Sequence, residues 1–201
     1  MKPRKSPKQS RSKVTVEAIL QATTHILLAE GVQAFTTNHV AERAGVSIGS
    51  LYQYFPNKES LIAALIDQHV QHEVACLLGI IDSWQGVIDE TLFRKLIQTF
   101  IQLHLDEIEL TKLLHQQVHS LECRAALRKA TYVFELLFAD MLAQKLAKPK
   151  DHPRIKIKAF IIINSIDSVV QTALVENSNL LSDAIFVDEL VDLTQQVFNQ
   201  V

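Results

Sequence analysis

An all-α protein is what this chain predicts, because 48% of its 201 residues are apolar, only 5 Gly and 5 Pro interrupt them, and the long Leu, Ile, Val and Ala stretches show no sustained period-two alternation. A chain of this length can bury a substantial core. The expected organisation is a basic flexible arm over 1–13, a three-helix N-terminal module over 14–57 and a helical body over 58–201, about nine helices altogether.

The arm, MKPRKSPKQSRSK, carries six basic residues, no acidic one and no large apolar side chain except Met1, so it has nothing to pack with. From Thr15 to Glu30, Ile19, Ala22, Ile26 and Ala29 follow helical spacing, and Gly31 supplies a stop. Thr36 caps a second helix from Thr37 to Ala44, ended by Gly45, with His39 where a full capping box would place Glu or Gln. A third helix reads Ile48 to Tyr54, opening after Ser47 and closing at Phe55-Pro56, since proline disfavours helical geometry in the residue before it.

Asn57 caps a fourth helix with Leu61 and Leu65 on one stripe and Ile62, Ile66 and Val70 on the next; it runs to about Trp84 and is long enough to connect two modules. Further helices are expected near 87–104, 107–119, 121–147, 154–177 and 183–199, with 148–153 the clearest loop. The penultimate helix is apolar all round from Ala159 to Ile163, and Ile166, Val169, Val170, Ala173 and Leu174 continue it, so more than one of its sides must be covered.

The net charge of −2 hides an asymmetry: residues 1–60 hold 8 Lys/Arg against 4 Asp/Glu, a balance of +4, and the remaining 12 against 18 make −6. A basic end on an acidic body suits a chain of which one end meets a polyanion. Cys76 and Cys123 are far apart and form no CxxC, which argues against a disulfide framework or a zinc site and for reduced thiols. No apolar run reaches the roughly 18 residues of a membrane-spanning helix, and the N-terminus lacks a secretory apolar stretch; a cytoplasmic location without membrane partners is therefore expected.

Only Gly45-Val46-Ser47 joins the second and third helices, short enough for the steep crossing of a helix-turn-helix. Val40, Ala41, Ala44, Val46, Leu51 and Phe55 pack it inward, which leaves Ile48, Ser50, Tyr52, Gln53 and Tyr54 outward on a helix that fits a major groove. There an amide such as Gln53 pairs with adenine, Ile48 meets a thymine methyl, and Gly49 lets the backbone approach. Tyrosine hydroxyls and Lys58, in the first turn of the fourth helix, suit phosphate oxygens. A plain helical hairpin with aromatic residues in its core is the alternative; two tyrosines at i and i+2 cannot both face one interior.

The run from Phe35 to Leu61 (FTTNHVAERAGVSIGSLYQYFPNKESL) closely resembles the TetR family of transcriptional regulators, without a gap through Ala44-Gly45-Val46-Ser47, Gly49, Leu51 to Phe55 and Lys58-Glu59. The resemblance covers about residues 15–65; beyond it only helix number and order match. It implies a dimeric repressor with a three-helix DNA-binding head and a body that binds a small effector. By position it implies phosphate contacts for Thr36, Tyr52, Tyr54 and Lys58, and base reading for Thr37, Asn38, Ile48, Gly49, Ser50 and Gln53. Ile48 departs from the charged or amide residue common there, so the preferred base is open.

One short helix reads too few base pairs for a specific site, so a homodimer on a palindromic double-stranded operator is expected. The interface is sought on the final two helices, at Ile163, Val170, Val187, Leu190, Val191 and Phe198, as a four-helix bundle. A largely apolar effector is expected among aromatic and histidine residues of the middle helices, chiefly Phe100, His104, His115, His119, Phe134 and Phe138. His115 with His119, and His69 and His72 with Glu73, can each face one point, but neither set brings a third ligand at a known spacing, so neither metal nor cofactor is expected. No serine elbow, phosphate loop, HExxH or close carboxylate pair argues for an enzyme. A helical carrier and a nucleoid-type binder without sequence preference remain as competing classes.

Overall fold

The computed structural model describes residues 7–116 and 121–200, without the side chains of residues 7–11, 121, 122 and 130. Among the described residues there are nine α-helices and no strand: α1 Pro7–Ala29, α2 Thr37–Arg43, α3 Ile48–Tyr54, α4 Lys58–Ser83, α5 Glu90–Asp106, α6 Ile108–Gln116, α7 Leu121–Leu146, α8 Pro153–Glu176 and α9 Ala184–Asn199, with 3-10 turns at Val32–Ala34 and Ser178–Ser182. Residues 7–13, expected in the flexible arm, instead form the first turns of α1; residues 1–6 lie outside the described residues. Polar and basic residues give this stretch no apolar period, yet Lys, Arg and Gln are good helix formers.

Two compact units result. One takes the chain up to Asp67 together with Leu113–Ala126, and the other Gln68–Lys112 with Leu127–Val201, so that α4, α6 and α7 each contribute residues to both. The division does not follow the expected boundary at 57/58.

In the first unit Ile19, Ile26, Leu27, Val40, Ala41, Leu51, Phe55, Leu61 and Leu65 form a closed core, with α1 against α2 and α2 against α3. Buried Thr23 donates its hydroxyl to the Ile19 carbonyl, the back-bond that lets a threonine sit inside a helix. Cys123 is buried here, and neither cysteine is in a disulfide.

The turn between α2 and α3 is fixed by its backbone. Gly45 stands at φ +66°; its N–H bonds the Glu42 carbonyl at 3.1 Å and the next N–H, of Val46, reaches the Ala41 carbonyl at 3.0 Å. This Schellman closure needs a left-handed residue. Nothing lies within 4 Å of a Cβ built at Gly45, so Gly45→Ala is opposed by conformation alone. Urea unfolding should register a loss of about 1–2 kcal/mol; an unchanged midpoint would show the turn to be adaptable.

In the second unit α5 and α8 both pack on α9. One apolar cluster holds Leu77, Ile97, Phe100, Ile101, Val170, Leu174, Val187, Leu190 and Val191. Another holds Leu92, Phe138, Leu142, Ile155, Ile162 and Phe198, where Phe198 meets Phe93 edge-to-face at 4.9 Å and Phe138 at 5.8 Å. Asp89, His152 and Asp183 cap α5, α8 and α9 through their side chains, and Pro153 opens α8 where its missing N–H costs nothing. Lys158, buried on α8, donates to the carbonyls of Val197 and Gln200 and so satisfies the orphaned end of α9.

This packing corrects the expected dimer face. Val170, Val187, Leu190, Val191 and Phe198 are at most 8% exposed in the single chain, and Ile163 is half-buried against the second cluster. The apolar stripe of α9 is consumed by its own chain. What α8 leaves outward is a different set, Ile157, Phe160, Ile161 and Val169, with Ile185 and Leu193 exposed on α9. By length and composition alone α8 also passes as a possible membrane span, contrary to the sequence expectation. Its residues Ile155, Ala159, Ile162, Val170, Ala173 and Leu174 pack in the core along one side, while 28% of its apolar stretch is buried in all.

Candidate functional site

The outward surface of the first unit is built from the starts of three helices. Thr36 caps α2, its hydroxyl accepting from the His39 N–H at 3.2 Å. Ser47 caps α3, accepting from the Ser50 N–H at 3.1 Å, and the two serine hydroxyls lie 2.8 Å apart. Asn57 opens α4, its Oδ1 accepting from the Ser60 N–H at 2.7 Å while the Ser60 hydroxyl donates to the Asn57 carbonyl. Ser50 is therefore committed first to holding the start of α3.

On α3 the alternation of Leu51 (0% exposed) with Tyr52 (49%) and of Phe55 (7%) with Tyr54 (37%) separates an inner from an outer face. Ile48, Gly49, Gln53, Thr36, Asn38 and Lys58 are exposed as well, whereas Thr37 and Ser50 are half-buried. Tyr52 OH and Thr37 Oγ1 lie 3.0 Å apart, a hydrogen bond that ties α3 to the start of α2 and limits the rotamers of both side chains. Gly49 would meet only the Ser47 hydroxyl, at 3.9 Å, if given a Cβ, so no packing within the chain requires a glycine there. Glu30 pairs with His39 at 3.5 Å and Arg43 at 3.8 Å, a tertiary pairing that spacing along the chain does not announce.

The second unit holds a buried polar cluster. Glu73 Oε1 lies 3.1 Å from His69 Nε2 and 3.3 Å from His104 Nδ1, and all three side chains are at most 12% exposed. His69 Nδ1 meets Glu107 Oε2 at 3.2 Å. His104 Nδ1 donates to the Phe100 carbonyl at 2.9 Å, and its Nε2 faces the Gln171 amide nitrogen at 2.8 Å. Burial works against a charged His69, yet the Glu73 and Glu107 carboxylates outweigh it and hold the imidazole above its ordinary pKa. Burial also pushes the Asp167 carboxyl up, against the pull of His104 and a hydrogen bond from Gln171.

The expected effector residues are divided by the structure. Phe100, His104 and Phe134 are neighbours, with Phe100 4.5 Å from the His104 ring and 6.2 Å from Phe134. Phe138 belongs with Phe93 and Phe198 in the other cluster, His115 falls in the first unit, and His119 lies outside the described residues. Sequence spacing did place His69 and Glu73 on one face, but His72 turns to Cys76 Sγ at 3.8 Å instead, and the partner that completes the cluster, His104, comes from α5.

A family model described as bacterial regulatory proteins, tetR family, matches residues 19–65, and one described as tetracyclin repressor-like, C-terminal domain, matches residues 90–196. The chain belongs to the TetR family. Its helix-turn-helix is thereby the family's, and family and fold are those of regulators rather than enzymes. This TetR-family chain is 40% identical over 55 residues to the uncharacterized HTH-type transcriptional regulator YvkB of Bacillus subtilis, covering 27% of the chain and 29% of that protein. It is 32% identical over 91 residues to the nucleoid occlusion factor SlmA of Pasteurella multocida, covering 45% and 43%. The chain thus spans less than half the length of these curated relatives. In fold it matches the transcriptional regulator FadR from Bacillus subtilis in complex with stearoyl-CoA, at TM-score 0.65 and 16% identity over 92% of this chain and 98% of that one.

Proposed function

We propose that this TetR-family protein is a cytoplasmic, homodimeric repressor that binds a palindromic DNA operator through α3 and is released by a small, largely apolar effector. The observation that carries the reading is the outward face of α3, where Ile48, Gly49, Tyr52, Gln53 and Tyr54 are all exposed on a helix capped at both neighbours, inside the segment matched by the tetR model. Tyr52, Tyr54, Thr36 and Lys58 take phosphates; Gln53, Ile48, Gly49, Ser50, Thr37 and Asn38 approach base edges. The hydrogen bond between Tyr52 and Thr37 supports pre-set contacts rather than an induced fit.

Dimerisation through the outward apolar residues of α8 and α9 gives each operator half its own α3. The effector is held in the second unit, near Phe100 and Phe134, and acts on α4, one continuous helix from Lys58 to Ser83 whose first turn carries a phosphate contact. A coupling of about 1–3 kcal/mol would suffice, a 5- to 150-fold change in DNA affinity. That FadR is solved with stearoyl-CoA favours an acyl-chain ligand as the first class to screen.

Anisotropy titration of the chain on its own upstream DNA, against random DNA of equal length, tests the proposal. Preference of 10³-fold or more for the upstream DNA is expected, on the order of what specific regulators reach. Equal affinity would instead favour the second reading, a nucleoid-type binder, for which the similarity to SlmA is the specific support.

A further inference from the structure

We propose that His69, Glu73 and His104 form a site for one divalent transition cation of the zinc class. Glu73 is 3% exposed, and its Oε1 has no hydrogen bond; the atoms nearest to it, His69 Nε2 at 3.1 Å and His104 Nδ1 at 3.3 Å, approach without hydrogen-bond geometry. His69 Nε2 is likewise buried and lacks a well-formed hydrogen bond; a proton on it, which the Glu73 and Glu107 carboxylates favour, is what a cation would replace. Orphaned polar atoms of this kind are costly unless something satisfies them together. A cation does so, since bonds of about 2.0–2.1 Å to imidazole nitrogen and carboxylate oxygen imply tetrahedral edges of about 3.3 Å between donor atoms. The two separations to Glu73, 3.1 and 3.3 Å, are close to that length, whereas the three donor atoms together lie within 4.8 Å, beyond the roughly 4.2 Å that two such bonds span, so the two imidazoles must draw together around the ion.

The surrounding hydrogen bonds suit the same occupant. A metal-binding histidine commonly donates its other N–H to a carboxylate or carbonyl, which fixes the tautomer and aims the free lone pair. His69 has Glu107 Oε2 on its Nδ1, 3.2 Å away, which leaves Nε2 as the ligand atom. His104 donates from Nδ1 to the Phe100 carbonyl at 2.9 Å, a bond it must give up to become a ligand, and faces Gln171 through Nε2; the Gln171 Oε1 is buried with no hydrogen bond. A half-turn of that amide brings Oε1 to Nε2, where it accepts the proton that Nδ1 must give up. That movement shifts the ring proton to Nε2 and satisfies the orphaned oxygen, while Gln171 gives up its bond to Asp167 and His104 its bond to the Phe100 carbonyl. Two imidazoles and one carboxylate leave a fourth position for water, and His72, turned to Cys76, takes no part.

The test needs no DNA, so its failure is separate from failure of the regulatory reading. Tag-free, EDTA-stripped chain is titrated with Co2+ and then with Zn2+. One Co2+ per chain, with the visible d–d bands of a four-coordinate site that Zn2+ abolishes, is expected. Glu73→Gln and His104→Gln should remove the bands, His72→Ala should keep them, and Glu107→Gln, at the solvent edge and safe for folding, should weaken binding by about 10- to 100-fold. Circular dichroism accompanies each variant. Absence of stoichiometric Co2+ binding, bands that survive Glu73→Gln, or affinity unmoved by Glu107→Gln would overturn the site.

Discussion

Replacing Phe160 and Ile161 of α8 together by Asp is expected to leave the chain folded but monomeric, and to lower operator affinity by about 10³-fold, towards non-specific binding. Both side chains are about half exposed in the single chain, 50% and 48%, so neither supports its own core. Exposed apolar residues of this size on one helix suit an association surface, and Ile157 and Val169 on α8 and Leu193 on α9 are exposed as well. Buried carboxylates facing their two-fold copies would lack partners and repel. A monomer keeps one α3 and half the base contacts. Sedimentation equilibrium with anisotropy checks both effects; a variant that remains dimeric places the interface elsewhere.

The second large effect separates holding from reading. Gln53→Ala is expected to lower affinity by 1–3 kcal/mol, about 5- to 150-fold, at operators with the cognate base and to relax preference at that one position. Lys58→Ala should weaken all DNA similarly and reduce the slope of log K against log salt by about 1. Both residues are exposed and neither fills the core, so folding should not confound the comparison. Identical salt slopes and identical base preferences in the two variants would remove the distinction.

The head was legible from short-range chemistry. Ser47 and Phe55-Pro56 bound α3 at Ile48 and Tyr54 as the sequence predicts, because a cap and a proline act on the residues beside them. The start of α1 was not, since Lys, Gln and Arg repeat no apolar period even where they are helical. In the body, helix order was readable but the use of each face was not. The stripe of Val187, Leu190, Val191 and Phe198 announces burial without saying whether the same chain or a copy supplies the cover, and here α5 and α8 supply it. The polar cluster was half visible: His69 and Glu73 are one helical turn apart, while His104 and Gln171 arrive from α5 and α8 through tertiary packing.

Selection from a random double-stranded DNA pool, carried out in parallel with the natural chain and with Gln53→Ala, tests most directly that paired α3 helices read DNA. The natural chain should enrich a palindrome whose half-site centres lie about 10 base pairs, one helical turn, apart or a multiple of that, and Gln53→Ala should lose preference at one symmetric pair of positions. No enriched sequence, or a motif without two-fold symmetry that Gln53→Ala leaves intact, would contradict it.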